Sequence, residues 1–385
     1  MKIGFDIQLL ERREKTGIAK CAQYLLAHIV KMKKDNSMSV NFFRNSMGME
    51  DIDGLRGYEK LGYEINEYKG RFDQTIYKLL WNFIPIPYSF FFGDKNDVTV
   101  FFNYYVPPFV KGKKVTVFHD MVCFDHPETM SLKTRIMLKI SIKSSAKRAD
   151  RIITVSEFSK RQTMKYLKVD EEKIDVMPNG VDLDIFRSDI SGERKEGVKK
   201  KYGIEGEYLL YLGMLEPRKN INGIIEGYIR LCKRMEDAPK LVLAGGKGWL
   251  YESIFEKVKE NNLEDKVIFT GYVDGEDIAA MMSAAKVFVF PSIYEGFGIP
   301  PLEAMACGTP VITSNNTSLP EVMGDCGILV DPYNYEEIAD AMERVLTDEK
   351  LRKEMIEKGI ERAKLFSWDN SAKIMMDCIE RAAEQ

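Results

Sequence analysis

Apolar positions along this chain follow two alternating rhythms. Short β-branched and aromatic runs, continuous or of period two, are separated by longer stretches whose apolar residues recur with helical spacing. In the first half the runs predict strands at "KIGFDIQL" (2–9), "SVNFFRN" (39–45), "YEINEY" (63–68), "DVTVFFN" (97–103), "KKVTVFHD" (113–120), "RIITVSE" (151–157) and "KIDVMPN" (173–179). Helices are expected to start near Gly17, Arg71, Ser131 and Glu157. The rhythm stops in the polar stretch "RSDISGERKEGVKKKYGIEGE", Arg187 to Glu207. It then restarts with "YLLYLGML", "KLVLAG", "KVIFTGY", "VFVFPS", "PVITSN" and "GILVDP", each followed by a helix or a helical turn. This alternation predicts α/β architecture with two doubly wound parallel sheets: a first domain over 1–186, a linker over 187–206 and a second domain over 207–366, followed by a last helix over 367–385. Two open sheets facing each other put the carboxyl ends of their strands at one crevice, so function is expected just after strands.

Composition narrows the partners. At 385 residues the chain is long enough for two buried cores. With 45% hydrophobic and 30% charged residues and a formal net charge of −3, it lacks the basic excess of a nucleic-acid binder. The opening "MKIGFDIQLLERREKTG" reaches Glu11, Arg12 and Arg13 too early for a signal peptide, so a cytoplasmic protein is expected. "LLWNFIPIPYSFFFG", Leu79 to Gly93, is too short to span a bilayer and holds two prolines, although it is able to touch one. Cys21, Cys123, Cys232, Cys307, Cys326 and Cys378 are widely spaced with no Cys-x-x-Cys, so neither a zinc site nor a disulfide framework is expected.

Chemistry concentrates after predicted strands. In "VFVFPSIYEGFGIPPLEAMACG", Pro300 and Pro301 suit a first helical turn and Glu303 falls within that turn. One reading makes Glu303 a complement to the helix dipole and the glycines mere bends. The other aims free N–H groups of Phe297, Gly298 and Ile299 at a phosphate or sugar, while Glu295 and Glu303 accept from hydroxyls. In "YLGMLEPRKN", Arg218 and Lys219 follow a strand, where they form either a solvated basic turn or a pair that stabilises a departing diphosphate. His119, in "VFHD", ends a buried strand, and Gly17 opens the first helix where backbone can approach an anion. "AGGKGW" (244–249) fails both the dinucleotide fingerprint and the Gly-Lys-Ser/Thr loop. "DLD" (182–184) is too short a match to assign a metal, and none is assigned. The expected helix "SLKTRIMLKISIKSSAKRA" carries Lys133, Arg135, Lys139, Lys143, Lys147 and Arg148 without an acid; this is either a solvated face or a dock for anionic lipid headgroups or a lipid-diphosphate acceptor.

Taken together and in order, "TGIAKCAQYLL", "VTVFHD", "RIITVSEFSK", "VMPNGVD", "LEPRKN", "GYVDGEDIAAMMSAAKVFVFPS", the Glu295-to-Glu303 segment, "SLPEVMGDCGILVDP" and "FSW" resemble the retaining family-4 glycosyltransferases of the GT-B fold. The resemblance implies a first domain that binds acceptor, a second that binds a nucleotide sugar, and a last helix that returns to the first domain. It implies that Glu303 binds the nucleotide ribose, Glu295 the sugar hydroxyls, the Phe297–Ile299 amides sugar and phosphate, Arg218 and Lys219 the diphosphate, and the loop at Val273 the base. It also implies that Gly17 lets the first loop reach the phosphates and that His119 contacts the donor sugar. Many members carry an arginine after the glycine of the phosphate strand; here Met214 follows Gly213. "LEPRKN", "HD" and "GGKGWL" look most like the mannosyltransferase branch of bacterial surface polysaccharide assembly. The expectation is therefore a retaining, metal-independent hexosyltransferase without a cofactor. It would use a nucleoside diphosphate sugar, with a lean to GDP-mannose, as co-substrate and a saccharide or lipid-linked saccharide as acceptor, and make peripheral contact with an anionic membrane. A UDP-sugar transferase and a non-catalytic sugar-nucleotide sensor are the alternatives.

Overall fold

The computed structural model describes residues 1–10, 17–32, 35–44, 57–70, 86–93, 95–246, 248 and 251–385. The helix expected near Arg71, the loop 11–16, residues 79–85 of the aromatic stretch from Leu79, and Lys247 and Trp249 of the glycine-rich segment lie outside the described residues. The chain divides into two compact units, Met1–Gly180 with Trp368–Gln385, and Val181–Ser367.

In the first unit seven parallel strands lie in the order β3-β2-β1-β4-β5-β6-β7. They are β1 (Lys2–Asp6), β2 (Ser37–Phe43), β3 (Glu64–Tyr68), β4 (Val98–Phe101), β5 (Lys113–Phe118), β6 (Arg151–Thr154) and β7 (Ile174–Val176). The second unit holds six, in the order β10-β9-β8-β11-β12-β13: β8 (Tyr208–Leu212), β9 (Lys240–Ala244), β10 (Val267–Gly271), β11 (Val287–Phe290), β12 (Val311–Ser314) and β13 (Ile328–Val330). Central strands such as β4 and β11 are buried along their whole length. That burial is why they read as continuous apolar runs and not as alternating ones: helices cover both faces of a parallel sheet. The expected architecture of two doubly wound parallel sheets is the one found.

Both strand orders reverse direction once, between β1 and β4 in the first sheet and between β8 and β11 in the second. At such a switch point the connections leave to opposite sides, opening a crevice beyond the carboxyl ends. His119 lies just after β5, and Glu216, Arg218, Lys219, Ser292 and Glu295 follow β8 and β11.

The last helix, Trp368–Glu384, belongs to the first unit. Trp368 stacks on Tyr24 with ring centroids 5.2 Å apart, Asp369 pairs with His28 at 2.6 Å, and the buried Ser371 hydroxyl donates to the Pro178 carbonyl.

The polar stretch expected as a linker is different: residues 192–201 fold as a helix and belong to the second unit. Its anchor is Asp277, fully buried, whose carboxylate accepts from Arg194 at 2.6 Å, Lys201 at 2.6 Å and the Tyr202 hydroxyl at 3.0 Å. Burial alone would raise the Asp277 carboxyl, but these donors hold it below its ordinary value. Arg194 and Lys201 are 46% exposed and regain water if the carboxylate goes, so Asp277→Ala is expected to cost about 2–3 kcal/mol, below the full penalty for a broken buried pair. Because the folded pKa is the lowered one, this contribution is present above the unfolded carboxylate value and disappears as pH falls through the folded one. Denaturant midpoints of parent and variant should therefore differ near neutrality and converge in acid; a constant gap would disprove the role.

Candidate functional site

The switch point of the second sheet builds a buried ion cluster. The turn after β8 ends in a short helical turn, Pro217–Lys219, closed by Asn220 in the left-handed conformation. The Asn220 side chain, itself buried, donates to the carbonyls of Pro291 and Pro332. This ties the turn to the loops after β11 and β13. Ile293 N–H donates to the Arg218 carbonyl, closing the two switch-point loops on each other.

Within this frame Glu295 is 8% exposed. Its Oε1 accepts from Lys219 Nζ at 2.6 Å and from Ser292 Oγ at 2.8 Å, and its Oε2 from Arg218 Nη1 at 3.3 Å. Arg218 also donates to the Tyr294 carbonyl at 2.9 Å and to Glu216 at 2.8 Å, while Lys219 Nζ lies over the Phe290 ring. Burial by itself would push the Glu295 carboxyl up; Lys219 first and Arg218 second outweigh it and hold the group below the usual carboxylate range. Burial pushes the Lys219 amine down, against the attraction of Glu295. Two cations thus face two carboxylates at close range, so the cations are fixed in place by partners that an anion of the right geometry could displace.

The loop that follows is shaped from outside. Ser314 Oγ donates to the Ser292 carbonyl, Asn316 to Ile293, and the buried Ser318 hydroxyl bridges the carbonyls of Glu295 and Phe297. With its carbonyls held this way, the loop enters helix Ile299–Ala306 through Gly298 at φ +113°, a left-handed value suited to glycine. Pro300 and Pro301 occupy the first turn and have no N–H. Among the described residues no acceptor faces the N–H groups of Phe297, Gly298 and Ile299. Glu303 lies half-buried in the same helix.

The structure therefore brings together Arg218, Lys219 and Glu295, with the 297–299 amides continuing the same loop. Val273 is elsewhere in the unit, buried after β10, the edge strand. Glu216, Ser292 and the Ser314–Ser318 run were missed in the sequence. Their signal was there: polar residues directly after buried strands, where only a site or a turn keeps them. Gly213 and Gly245 explain why the "AGGKGW" region is glycine-rich. A Cβ on Gly245, at φ +140°, would lie 1.9 Å from the Gly213 carbonyl oxygen, so the first of these glycines serves close backbone packing. Asp182 of "DLD" caps a turn, accepting from Asp184 N–H.

In the first unit His119 is buried, and its Nε2 lies 2.9 Å from the Phe102 carbonyl oxygen. A carbonyl only accepts, so Nε2 carries the proton and, in the neutral ring, Nδ1 keeps the lone pair. Burial lowers the His119 pKa, with the Phe102 contact and Asp120 opposing, which favours that neutral acceptor. Gly17 opens its helix in an exposed position, and a Cβ there would meet nothing within 4 Å. Packing among the described residues thus gives no reason for a glycine at this place.

Comparison with known proteins gives the family and the fold. Residues 194–362 match the family model "Glycosyl transferases group 1", and residues 63–185 match "Glycosyltransferase Family 4". The chain is 35% identical over 269 residues to O-antigen chain mannosyltransferase B of Escherichia coli, covering 70% of each protein. It is 32% identical over 300 residues to the serotype-specific mannosyltransferase WbdA of Escherichia coli, covering 76% of this chain but only 36% of that much longer one. Among solved structures, Anabaena Alr3699/HepE in complex with UDP and glucose aligns with a TM-score of 0.74 over 99% of this chain and 100% of that one, at 17% identity, a likeness of fold.

Proposed function

Since the chain belongs to the group 1 and family 4 glycosyltransferases, we propose that it moves a hexose, mannose in the first instance, from a nucleoside diphosphate sugar to a saccharide or lipid-linked saccharide acceptor in surface polysaccharide assembly, working peripherally at the inner face of the membrane. The observation that carries the donor site is the Arg218–Lys219–Glu295 cluster at a switch point, next to three N–H groups that find no acceptor among the described residues. The mannosyltransferase names of the relatives support the sugar.

In this reading Arg218, Lys219 and the Phe297–Ile299 amides hold the diphosphate, Glu303 the ribose, the backbone at Val273 the base, and Glu295 the sugar hydroxyls. Gly17 and His119 serve as the resemblance implies, at phosphate and sugar. The anomeric C–O bond to phosphate breaks while the acceptor oxygen bonds to the same carbon on the same face, and the acceptor proton passes to the departing phosphate oxygen. Configuration is retained, and neither a metal nor an enzyme nucleophile is required by the balance.

A thermal-shift series with GDP, UDP and ADP tests the donor site. A ligand at about 100 times its Kd stabilises by about 2.7 kcal/mol, which for a unit of this size raises Tm by roughly 5–10 °C. A rise with GDP alone supports a GDP-mannose donor, a rise with UDP alone replaces it by a UDP-sugar, and no rise with any of them removes the donor site.

A further inference from the structure

We propose that Phe366 is a positioning residue of the loop 295–299: its ring, braced by Arg362, fixes the Phe297 side chain and with it the direction of the Phe297 N–H. The proposal rests on the reading of that loop as the place of the donor's diphosphate and sugar. Of the motifs in the chain, "FSW" (366–368) is one to which that reading gives no task.

Gly296 and Gly298 flank Phe297, so the middle of the loop has a single side chain able to anchor it. The Ser318 hydroxyl lies 2.9 Å from the Phe297 carbonyl oxygen, and because a peptide is planar this also sets the Gly298 N–H in the same plane. The Leu302 N–H donates to the Gly298 carbonyl and sets the Ile299 N–H in the same way. The Phe297 N–H belongs to the plane before these two, which neither contact touches. Phe297 itself is 6% exposed, and Phe366 meets it edge to face, with centroids 5.8 Å apart and planes at 73°. With its Cβ and its carbonyl both fixed, the tetrahedral Cα of Phe297 leaves one place for the amide nitrogen.

Phe366 is held in turn. Its N–H donates to the Ala363 carbonyl and its carbonyl accepts from Val181 N–H, both at 3.0 Å. The Arg362 guanidinium lies over its ring, 5.1 Å from the centroid, and is aimed there by donating to the carbonyls of Val322 at 3.0 Å and Glu321 at 2.6 Å. Those carbonyls belong to helix Leu319–Met323, which follows Ser318 directly. The same helix touches the loop, since a Cβ on Gly298 would lie 2.7 Å from Leu319 Cδ2. A ring placed only for its burial would be covered, whereas Phe366 is half-buried, so its directed contacts outweigh its area. The chain passes between its units after Gly180 and after Ser367, and the Val181–Phe366 hydrogen bond joins the second-unit ends of both passages. The residue that sets the loop is thus also the one that ties the crossings.

Phe366→Leu keeps apolar bulk but offers no ring to Phe297 or Arg362, and Phe366→Tyr keeps the ring. Hydrogen exchange of the full chain without ligand, read by mass spectrometry, should rise about tenfold in Phe366→Leu at the amides of Glu295 and Leu302, whose partners are Thr317 Oγ1 and the Gly298 carbonyl. Exchange elsewhere in the second unit should stay as in the parent, with Tm within about 4 °C. Calorimetric affinity for GDP, UDP or ADP, whichever binds the parent, should fall about tenfold, as for one hydrogen bond to a charged group. Phe366→Tyr should restore both. Parent-like exchange in Phe366→Leu, a rise spread evenly over the unit with a lower Tm, an equal rise in Phe366→Tyr, or a local rise at unchanged diphosphate affinity would each overturn the proposal. If none of the diphosphates binds the parent, the donor reading is what fails, and exchange alone decides whether Phe366 positions the loop.

Discussion

Glu295→Gln should reduce sugar transfer by about 10²–10³-fold, the scale on which charge-positioning groups act, while leaving affinity for the bare nucleoside diphosphate unchanged or higher. The reasoning turns on the sign of the charge. Glu295 is an anion within 2.6 Å of Lys219 and 3.3 Å of Arg218, the two groups proposed to receive the diphosphate. Removing its charge frees those cations for a ligand that lacks a sugar, whereas the sugar loses a strong, fixed acceptor. The variant also leaves Lys219, 13% exposed, without its counter-ion, and breaking a buried pair costs about 3–5 kcal/mol. A second change, Lys219→Gln, should return much of that stability without returning transfer. Turnover, GDP affinity by calorimetry and denaturant midpoints together decide the matter: parallel loss of turnover and diphosphate affinity would make Glu295 only a structural counter-ion.

Arg218→Ala should show the opposite signature. Its guanidinium reaches Glu216, Glu295 and the Tyr294 carbonyl at once, so it is fixed in direction before any ligand arrives. Loss of a preorganised group that receives developing charge is expected to lower kcat by about 10²–10³-fold. Diphosphate affinity should fall with it by about one to two orders of magnitude, as for a charge-assisted hydrogen bond. Arg218→Lys should recover little, because a single ammonium cannot reproduce a three-way planar fork. Kinetics with saturating donor and a separate diphosphate titration would check both numbers; an Arg218→Lys variant as active as the parent would refute the assignment.

What could be read from the residues follows from the range of the forces involved. Strands such as Val287–Phe290 were legible because a parallel sheet buries both faces and leaves an unbroken apolar run. The rule that ligands gather after such strands placed Arg218, Lys219 and Glu295 in one crevice. That these groups pair with one another was not legible: Lys219 and Glu295 are 76 residues apart, and the turn bearing the lysine reads as an ordinary basic turn. The helix Gly192–Lys201 was missed for a similar reason. Val198 is its only buried residue, so it has no apolar stripe, and it is held by ion pairs to Asp277, far along the chain. The serine, asparagine and threonine residues after β12 looked like loop punctuation, although Ser314, Asn316 and Ser318 shape the neighbouring loop.

That last arrangement bears on how this part of the molecule can be transplanted or recombined. The backbone from Ser292 to Phe297 takes its form from side chains on a different segment, with the Ser318 hydroxyl alone holding two of its carbonyls. A chimera that receives residues 291–299 without 314–318 would inherit the acidic motif but not its conformation. The modular unit is the pair of adjacent strand ends, and crossover points for domain shuffling belong before β11 and after Leu319, not between the two.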